Sequence, residues 1–452
     1  MIPQYFKKNM PWLLVMACLA FFVTPGCKKE EKPKSNPYER TRPRSAGDGK
    51  NDLLGYGYDV TGEYAHSSAS KFSVLNITAF QKDNPTRMEW DLSKKQIGKL
   101  VSGENAVSYL DKLKVNLDGT FGFGIFKGSI KAAYSDSNAF SSKYVYSSFD
   151  LLIQQKRGKI SGGLTLLKQY LQPSFVWDIE NESPEWIVSA YGTHVLTDIT
   201  LGAKLSVMYR SETTNSARER ASEIGVDVSV NKVFSVSVGL NYTYTKKETE
   251  ANFSQALHYE TIGGDPSKSV IGDIPAGSTA PAVDISAWQA SSSVNNSELI
   301  DFNKEGMIPI YEFIDNPVKK QAVIDYLRNY LQNNAAFLLR TYVKITAENP
   351  VFKKDQWGEG TFYDYYVNFY KEDKVTPATV RDITVPYVRA SKDMKTGIIS
   401  YSSNPPSTIR IVDANRMYIG RDYGSYKAYV NGQPETTSWY EARPGQGYEI
   451  LP

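Results

Sequence analysis

A long alternation of apolar and polar residues lies near the middle of the chain, in the stretch GVDVSVNKVFSVSVGLNYTYT from Gly225 to Thr245. Its apolar residues occupy even positions: Val226, Val228, Val230, Phe234, Val236, Val238, Leu240, Tyr242 and Tyr244. Only Lys232 and Val233 break the parity, where Asn231-Lys232 could form a turn. A period of two predicts β-strands with one apolar and one polar face. Two interpretations fit: a half-buried strand pair in an antiparallel sheet, or a hairpin of a transmembrane β-barrel, whose strands need about 9–11 such residues.

A second, weaker alternation runs from Phe121 to Ser137, with Lys127-Gly128 as a candidate turn. Its apolar residues define a second candidate hairpin: Phe121, Phe123, Ile125, Ile130, Ala132 and Tyr134. No proline lies between residues 86 and 172 or between residues 185 and 265, and both alternations fall in these windows. A membrane hairpin requires this, because proline would remove an N–H from the strand ladder. Long buried strands or helices satisfy the same condition.

The beginning of the chain predicts export. Lys7 and Lys8 precede an apolar run, Trp12 to Val23, which is followed by Thr24-Pro25-Gly26-Cys27. This pattern is typical of a secretory signal peptide covering residues 1–26. The end of the run resembles a bacterial lipoprotein box, which implies lipidation of Cys27; the alternative is a plain signal peptide with a stray cysteine.

Residues 27–52 are rich in charge and proline and show no apolar periodicity, so they predict a disordered tether. Within the tether, Lys29-Glu30-Glu31 resembles the export signal of Bacteroidetes-type surface lipoproteins. We therefore expect an outer-membrane lipoprotein that is exposed at the cell surface or released from it. The net charge of the whole chain is +3, with no concentrated basic stripe, so nucleic acid is not an expected partner.

A helix start and a recognisable motif follow one another near residue 186. Ser183, Pro184 and Glu185 have the chemistry of a helix N-terminus, and Gly192 fits a helix stop. The stretch from Trp186 to Ala203, WIVSAYGTHVLTDITLGA, resembles the signature of the membrane-attack-complex/perforin (MACPF) family. The matching residues are Trp186, Tyr191, Gly192, Thr193, His194 and Gly202, whereas Val195 and Ala203 depart from the signature.

The resemblance covers roughly residues 53–349 and implies an α+β fold. That fold is a bent, four-stranded antiparallel sheet flanked by two clusters, usually helical in the soluble protein, that re-form as amphipathic hairpins of a shared β-barrel. The clusters map to roughly Thr120–Ile160 and Thr213–Ile262, with Gly263 and Gly264 as hinges. A lipid membrane and further copies of the chain, assembled in a ring or arc, are the implied partners.

Residues 350–452 predict a separate, β-rich accessory domain. Such domains usually choose the target membrane in this family, which implies a glycan or lipid ligand. Several aromatic residues could form that binding surface or the core of the domain itself: Trp357, Phe362, Tyr363, Tyr365, Tyr366, Phe369 and Tyr370.

Enzyme activity is not expected from this sequence. His66, His194 and His258 are the only histidines, and HExxH, GxSxG and paired CxxC motifs are absent from it. His194 is therefore interpreted as a packing or capping residue, and no metal or cofactor is predicted. Two functions remain: a pore-forming protein, acting as an antibacterial or host-directed toxin, or a non-lytic surface adhesin that uses the same fold as a scaffold.

Overall fold

The computed structural model describes residues 36–40, 52–113, 125–303, 305–355 and 358–379, and further short segments at 388–392, 399–402, 410–424, 429–430, 433–434, 440–441 and 449–450. The predicted signal peptide, Cys27, and Phe121 and Phe123 of the second candidate hairpin lie outside the described residues.

The helices are α1 (Ile77–Asp83), α2 (Ala106–Leu113), α3 (Lys127–Ala133), α4 (Leu164–Leu167), α5 (Pro173–Asn181), α6 (Pro184–Tyr191), α7 (Arg218–Phe234), α8 (Lys246–Glu250), α9 (Ser286–Ser291) and α10 (Pro317–Asn333). The strands that precede the C-terminal region are β1 (Tyr56–Tyr58), β2 (Ser70–Ser73), β3 (Met88–Asp91), β4 (Lys95–Gly103), β5 (Val145–Ile160), β6 (His194–Leu196), β7 (Asp198–Thr213), β8 (Asn252–Ile262), β9 (Ile271–Ile274), β10 (Glu298–Phe302) and β11 (Met307–Pro309).

A central antiparallel sheet runs in the order β4-β5-β7-β8, and β9 pairs with the outer edge of β8. Strands β5 and β7 each have 16 residues, so each is long enough to pair with two successive neighbours on one side. Thus β3 and β4 pair with different halves of β5, and β8 and β10 with different halves of β7. The predicted α+β fold with four central antiparallel strands is confirmed.

Two hydrophobic cores lie around this sheet. The main core includes Tyr58, Phe80, Tyr191 and Phe302 and joins α6 and α10 to the smaller sheet β11-β6-β1-β2. The second core joins α7 to the central sheet and comprises Phe149, Leu151, Ala203, Leu205, Val207, Tyr209, Val226, Val230, Val233, Phe234, Leu257, Tyr259, Ile274, Ile285 and Trp288. Helix α7 is therefore held by a cluster of its own.

Neither strand-like alternation forms a strand within its described residues, 225–245 and 125–137. The first half of Gly225–Thr245 belongs to α7, and the described part of the second alternation contains α3. The strand-pair interpretation of Gly225–Thr245 is wrong in this state, because tertiary packing overrides the local preference of these residues. Helical clusters beside the sheet are the soluble arrangement that the family resemblance implies, but the bounds predicted for them are too wide. Val145–Ile160 of the first mapped segment and Asn252–Ile262 of the second are strands β5 and β8 of the central sheet, because they pair along their length with β7.

The C-terminal strands are β12 (Tyr342–Asp355), β13 (Gly358–Tyr370), β14 (Val388–Lys392), β15 (Ile399–Ser402), β16 (Arg410–Asp413), β17 (Arg416–Gly424), β18 (Tyr429–Val430), β19 (Gln433–Pro434), β20 (Tyr440–Glu441) and β21 (Glu449–Ile450). They form sheets separate from the central one. The predicted domain boundary at residues 349/350 lies within β12. Of the candidate aromatic residues, Tyr366 and Phe369 are buried and so contribute to the core of this region.

Candidate functional site

Helix α7 consists largely of residues that disfavour helices. The run from Ile224 to Asn231, IGVDVSVN, contains glycine, β-branched residues and short polar residues only. Each of these is less favourable than alanine in a helix interior by about 0.4–1 kcal/mol, which amounts to roughly 4 kcal/mol over the run. The helix therefore depends on its contacts with the rest of the protein.

Apolar contacts with the sheet supply the compensating energy. Val226, Val230, Val233 and Phe234 are buried in the second core, and the Phe234 ring lies edge-on to Tyr259 with 5.2 Å between ring centroids. Full burial of such a side chain contributes about 1.5–3 kcal/mol relative to exposure, so four of them outweigh the unfavourable helix propensity. The helix is stable only while it stays on the sheet.

Gly225 allows α7 to approach the sheet closely. A Cβ atom at this position would lie 2.3 Å from Cζ and Oη of Tyr209. Tyr209 is fully buried and its hydroxyl donates to Gln255 Oε1 at 3.1 Å, so displacing its ring would disturb core packing and this hydrogen bond. Glycine is thus required for this contact.

Polar contacts fix the N-terminal half of α7. Ser147 Oγ in β5 donates to the Ser222 carbonyl at 2.8 Å, and Asn252 Nδ2 in β8 donates to the Ala221 carbonyl at 2.7 Å. Arg218 donates to the carbonyls of Glu104, Ser142 and Lys143 at 2.9–3.2 Å. Hydrogen bonds from β5 and β8, together with those of Arg218, therefore hold the helix in place.

The segment 235–245 keeps the period of a strand although no strand pairs with it among the described residues. Its odd residues are exposed, and its even residues are half-buried: Val236, Val238, Leu240, Tyr242 and Tyr244. It runs back along α7, where Tyr244 donates to Asp227 Oδ2 at 2.6 Å and Tyr242 donates to Glu223 Oε2. Partial burial and the bond to Asp227 raise the pKa of Tyr244 to about 12. Together, α7 and segment 235–245 form one antiparallel unit, which we call the inserting segment after the membrane role that the family resemblance predicts for it.

The second candidate hairpin packs more tightly. Ile125, Ile130 and Tyr134 are buried in the main core, whereas Ala132 is exposed. The Tyr134 hydroxyl donates to the Met208 carbonyl at 2.8 Å, which ties α3 to the central sheet. Its membrane role stays a prediction.

Most signature residues lie where helix α6 meets the sheets. Gly192 has φ +75° and ends α6, and a Cβ atom there would lie 2.6 Å from the Tyr58 carbonyl group. Thr193 Oγ1 donates to the Tyr58 carbonyl at 3.0 Å and accepts from Val60 N at 3.1 Å. Burial lowers the pKa of His194 to about 4, so this imidazole is neutral at pH 7. These contacts join α6 to β1, consistent with a packing role for His194.

Gly202 is required by strand packing. A Cβ atom at this position would lie 1.9 Å from the Ile153 carbonyl oxygen of the neighbouring strand. Gly263 and Gly264, the predicted hinges, follow β8 with φ +69° and +74°. The Trp288 indole donates to the Gly263 carbonyl at 2.9 Å, so the pair is anchored to α9 here. Their hinge function stays a prediction.

A polar cluster centred on Asp178, whose side chain is fully buried, was not predicted from the sequence. Its carboxylate accepts from Nε and Nη2 of Arg40 at 2.8 Å each, from Asn36 Nδ2 at 2.8 Å and from the Tyr191 hydroxyl at 2.6 Å. The Arg40 guanidinium also lies 4.5 Å from the ring centroid of Trp186. Residues 36–40 of the predicted tether therefore dock on the signature through Trp186 and Tyr191.

One group of metal-ligating side chains occurs among the described residues. Glu63, His66 and Glu260 place one candidate ligand atom each within 4.8 Å of one another. Ser68 already bonds Glu63 Oε1 at 3.0 Å and His66 Nδ1 at 2.6 Å, and we assign the group no metal role. No helix within the described ranges of the chain is both long enough and apolar enough to cross a membrane.

A family model for the MAC/Perforin domain matches residues 42–337. Among solved structures, the chain is similar to a proposed cell invasion protein with a MAC/Perforin domain from Bacteroides thetaiotaomicron VPI-5482, with 20% identity, a TM-score of 0.53, and coverage of 74% of this chain and 71% of that chain. It is also similar to GNIP1Aa from Chromobacterium piscinae, with 15% identity, a TM-score of 0.51, and coverage of 83% and 70%. At these identities, the two structures establish the fold alone. No curated protein sequence matches the chain.

Proposed function

This chain belongs to the MAC/perforin family, and from that premise we propose that it is a pore-forming protein. In this proposal, copies assemble on a target membrane as a ring or arc, and each copy converts its inserting segment into a β-hairpin of a shared barrel. The supporting observation concerns the inserting segment. Its apolar residues alternate as in a β-strand, yet in this structure it forms a helix and an extended chain that pairs with no described strand.

The energy for insertion comes mainly from backbone pairing. Because the apolar residues of the inserting segment are already sheltered in the soluble protein, transfer to lipid gains only the difference between two burials. An unpaired strand edge in hydrocarbon leaves N–H and C=O groups without partners, and a closed barrel removes every such edge. Head-to-tail contacts with a fixed rotation close into rings, so assembly supplies the partner strands.

Two further parts of the proposal concern delivery. Cys27 is the lipid anchor of a protein displayed on the outer membrane or released from it. The C-terminal β-rich region recognises the target surface through a glycan or a lipid, and the target is a competing bacterium or a host cell.

A matched pair of lysine substitutions tests insertion. Leu240 and Asn241 are neighbours in segment 235–245; Leu240 is half-buried and Asn241 is exposed. In the hairpin, Leu240 faces lipid and Asn241 faces the lumen. A lysine on the lipid face near the bilayer midplane costs about 2–4 kcal/mol, so Leu240→Lys is expected to slow dye release by roughly 30-fold or more, whereas Asn241→Lys leaves the rate near that of the unmodified protein.

The assay follows dye release from phosphatidylethanolamine–phosphatidylglycerol vesicles and from phosphatidylcholine–cholesterol vesicles. Far-UV circular dichroism of the soluble variants controls for folding. Equal loss of release in both variants would contradict a one-sided lipid face. Vesicle binding by the unmodified protein without release from either vesicle type would instead favour an adhesin.

A further inference from the structure

Strands β7 and β8 change register near the inserting segment. From Lys204↔Ile262 to Arg210↔Ala256, paired residues are both even or both odd in number. Beyond that point the pairs are Glu212↔Phe253 and Thr213↔Asn252, in which an even residue faces an odd one. Two residues of β8, Ser254 and Gln255, thus lie opposite the single residue Ser211, which is a β-bulge.

The register before the bulge, in which Lys204 pairs with Ile262 and Arg210 with Ala256, suits a membrane hairpin. Extended through the inserting segment, it places Ile224 opposite Tyr242. The next pairs on the same face are Val226–Leu240, Val228–Val238 and Val230–Val236, with residues 231–235 as the connecting loop. All the apolar side chains then share one face, as a strand pair with one side in lipid requires.

The register beyond the bulge, in which Glu212 pairs with Phe253, does not suit a membrane hairpin. Extended in the same way, it places Ile224 opposite Asn241, Val226 opposite Gly239 and Val228 opposite Ser237. The apolar residues of one strand would then face the side opposite to those of the other, because a shift by one residue reverses every side chain. One strand of the hairpin would expose its polar face to lipid.

We propose that the bulge at Ser254 and Gln255 holds β8 one residue out of the insertion register, and that release of α7 allows the strand to slide into it. This inference rests on the proposed function. The bulge is tied to α7 through Asn252, whose Nδ2 donates to the Ala221 carbonyl at 2.7 Å. When α7 leaves the sheet, that hydrogen bond is lost and the outer end of β8 is free to move.

The bulge also contains local strain. Ser254 has φ +50°, a left-handed conformation that non-glycine residues rarely adopt. Two side-chain oxygens next to the bulge, Glu212 Oε2 and Asn252 Oδ1, are buried without a hydrogen-bond partner among the described residues. These features favour removal of the bulge once the helix no longer holds it.

Substitutions at Ser254 change the bulge without touching the core, because this residue is exposed. Glycine adopts φ +50° without strain and stabilises the bulge, whereas a β-branched valine resists it. We expect Ser254→Gly to slow dye release and Ser254→Val to accelerate it, with roughly a tenfold difference between the variants. Equal rates would overturn the proposal.

Cross-linking of the inserted state reads the register directly. With Cys18 and Cys27 replaced by serine, Ile224→Cys is combined with Tyr242→Cys, Asn241→Cys or Leu240→Cys. Ile224 is fully buried in the soluble protein, but Tyr242 already bonds its neighbour Glu223 there, so each rate is compared with that of the same pair in solution. After dye release from the vesicles, the 224/242 pair is expected to form a disulfide at least tenfold faster than the other two pairs, because residues directly opposite are closest.

If the 224/241 pair cross-links fastest, the register beyond the bulge persists in the inserted state. If the 224/240 pair cross-links fastest, the strands have slipped by a different amount. Either result, together with dye release, overturns this inference and leaves the proposed function standing. Absence of dye release for every chain, including the unmodified one, rejects the proposed function and this inference with it.

Discussion

Oxidised protein carrying Ser147→Cys and Ser222→Cys is expected to release no dye from vesicles, and reduction is expected to restore release. Ser147 Oγ lies 2.8 Å from the Ser222 carbonyl oxygen, and both residues are fully buried between β5 and α7. A disulfide here would bind the helix covalently to the sheet. Because the proposed hairpin requires α7 to leave the sheet, the cross-link is expected to abolish pore formation rather than to slow it.

The two single variants, Ser147→Cys and Ser222→Cys, are the matched controls for this lock. In a background with Cys18 and Cys27 replaced by serine, each should release dye in oxidising and in reducing conditions. Thermal unfolding of the oxidised double variant should remain cooperative, which separates a locked protein from a misfolded one. Unchanged dye release by the fully oxidised double variant would show that α7 stays on the sheet during pore formation.

Asp178→Ala is expected to lower the free energy of unfolding by about 3–5 kcal/mol, because it leaves buried donors without their common acceptor. The loss of unfolding free energy should lie near the lower end of this range, because the Arg40 side chain is 26% exposed and can turn towards water. Tyr191 has no such freedom, because it is fully buried. Chemical denaturation measured by tryptophan fluorescence gives the change.

Asp315→Ala is the control for Asp178→Ala. Asp315 pairs with Lys168 at 2.7 Å, but its side chain is 80% exposed, and exposed ion pairs contribute at most about 1 kcal/mol. Arg40→Ala separates the two roles of the Asp178 cluster: it should increase proteolysis near residues 36–40 while keeping the Tyr191–Asp178 hydrogen bond. Similar losses for Asp178→Ala and Asp315→Ala would contradict the importance of the buried cluster.

The fold was predictable because the signature residues make contacts that few other residues could make. Gly192 ends a helix with positive φ beside the Tyr58 backbone, and Thr193 bonds the same backbone. Such positions constrain residue type strongly, so a short motif predicted a large part of the chain. The helix beginning at Pro184 was predicted for the same local reason: Ser183 caps it by accepting from Trp186 N at 3.2 Å.

The secondary structure of the inserting segment was not predictable from its own residues. The alternation in Gly225–Thr245 reflects the strand it could form, whereas its present helix depends on Tyr209 and on the rest of the second core. The Asp178 cluster joins residues 138 positions apart, Arg40 and Asp178, with no local pattern to mark them. The bulge at Ser254 is equally unmarked, since serine is not a typical left-handed residue.

Pore formation by the proposed mechanism requires residues 226–230 to change from helix to strand on insertion. An environment-sensitive fluorophore, attached through single cysteines at each of these positions in turn, tests it directly. In solution Val226 and Val230 are buried, while Asp227, Val228 and Ser229 are half-buried to a similar degree. After insertion, we predict lipid-like emission at 226, 228 and 230 and aqueous emission at 227 and 229. If emission at position 228 continues to match that at 227 and 229 in vesicles that have released their dye, α7 has remained helical, which contradicts the proposed conversion to a hairpin.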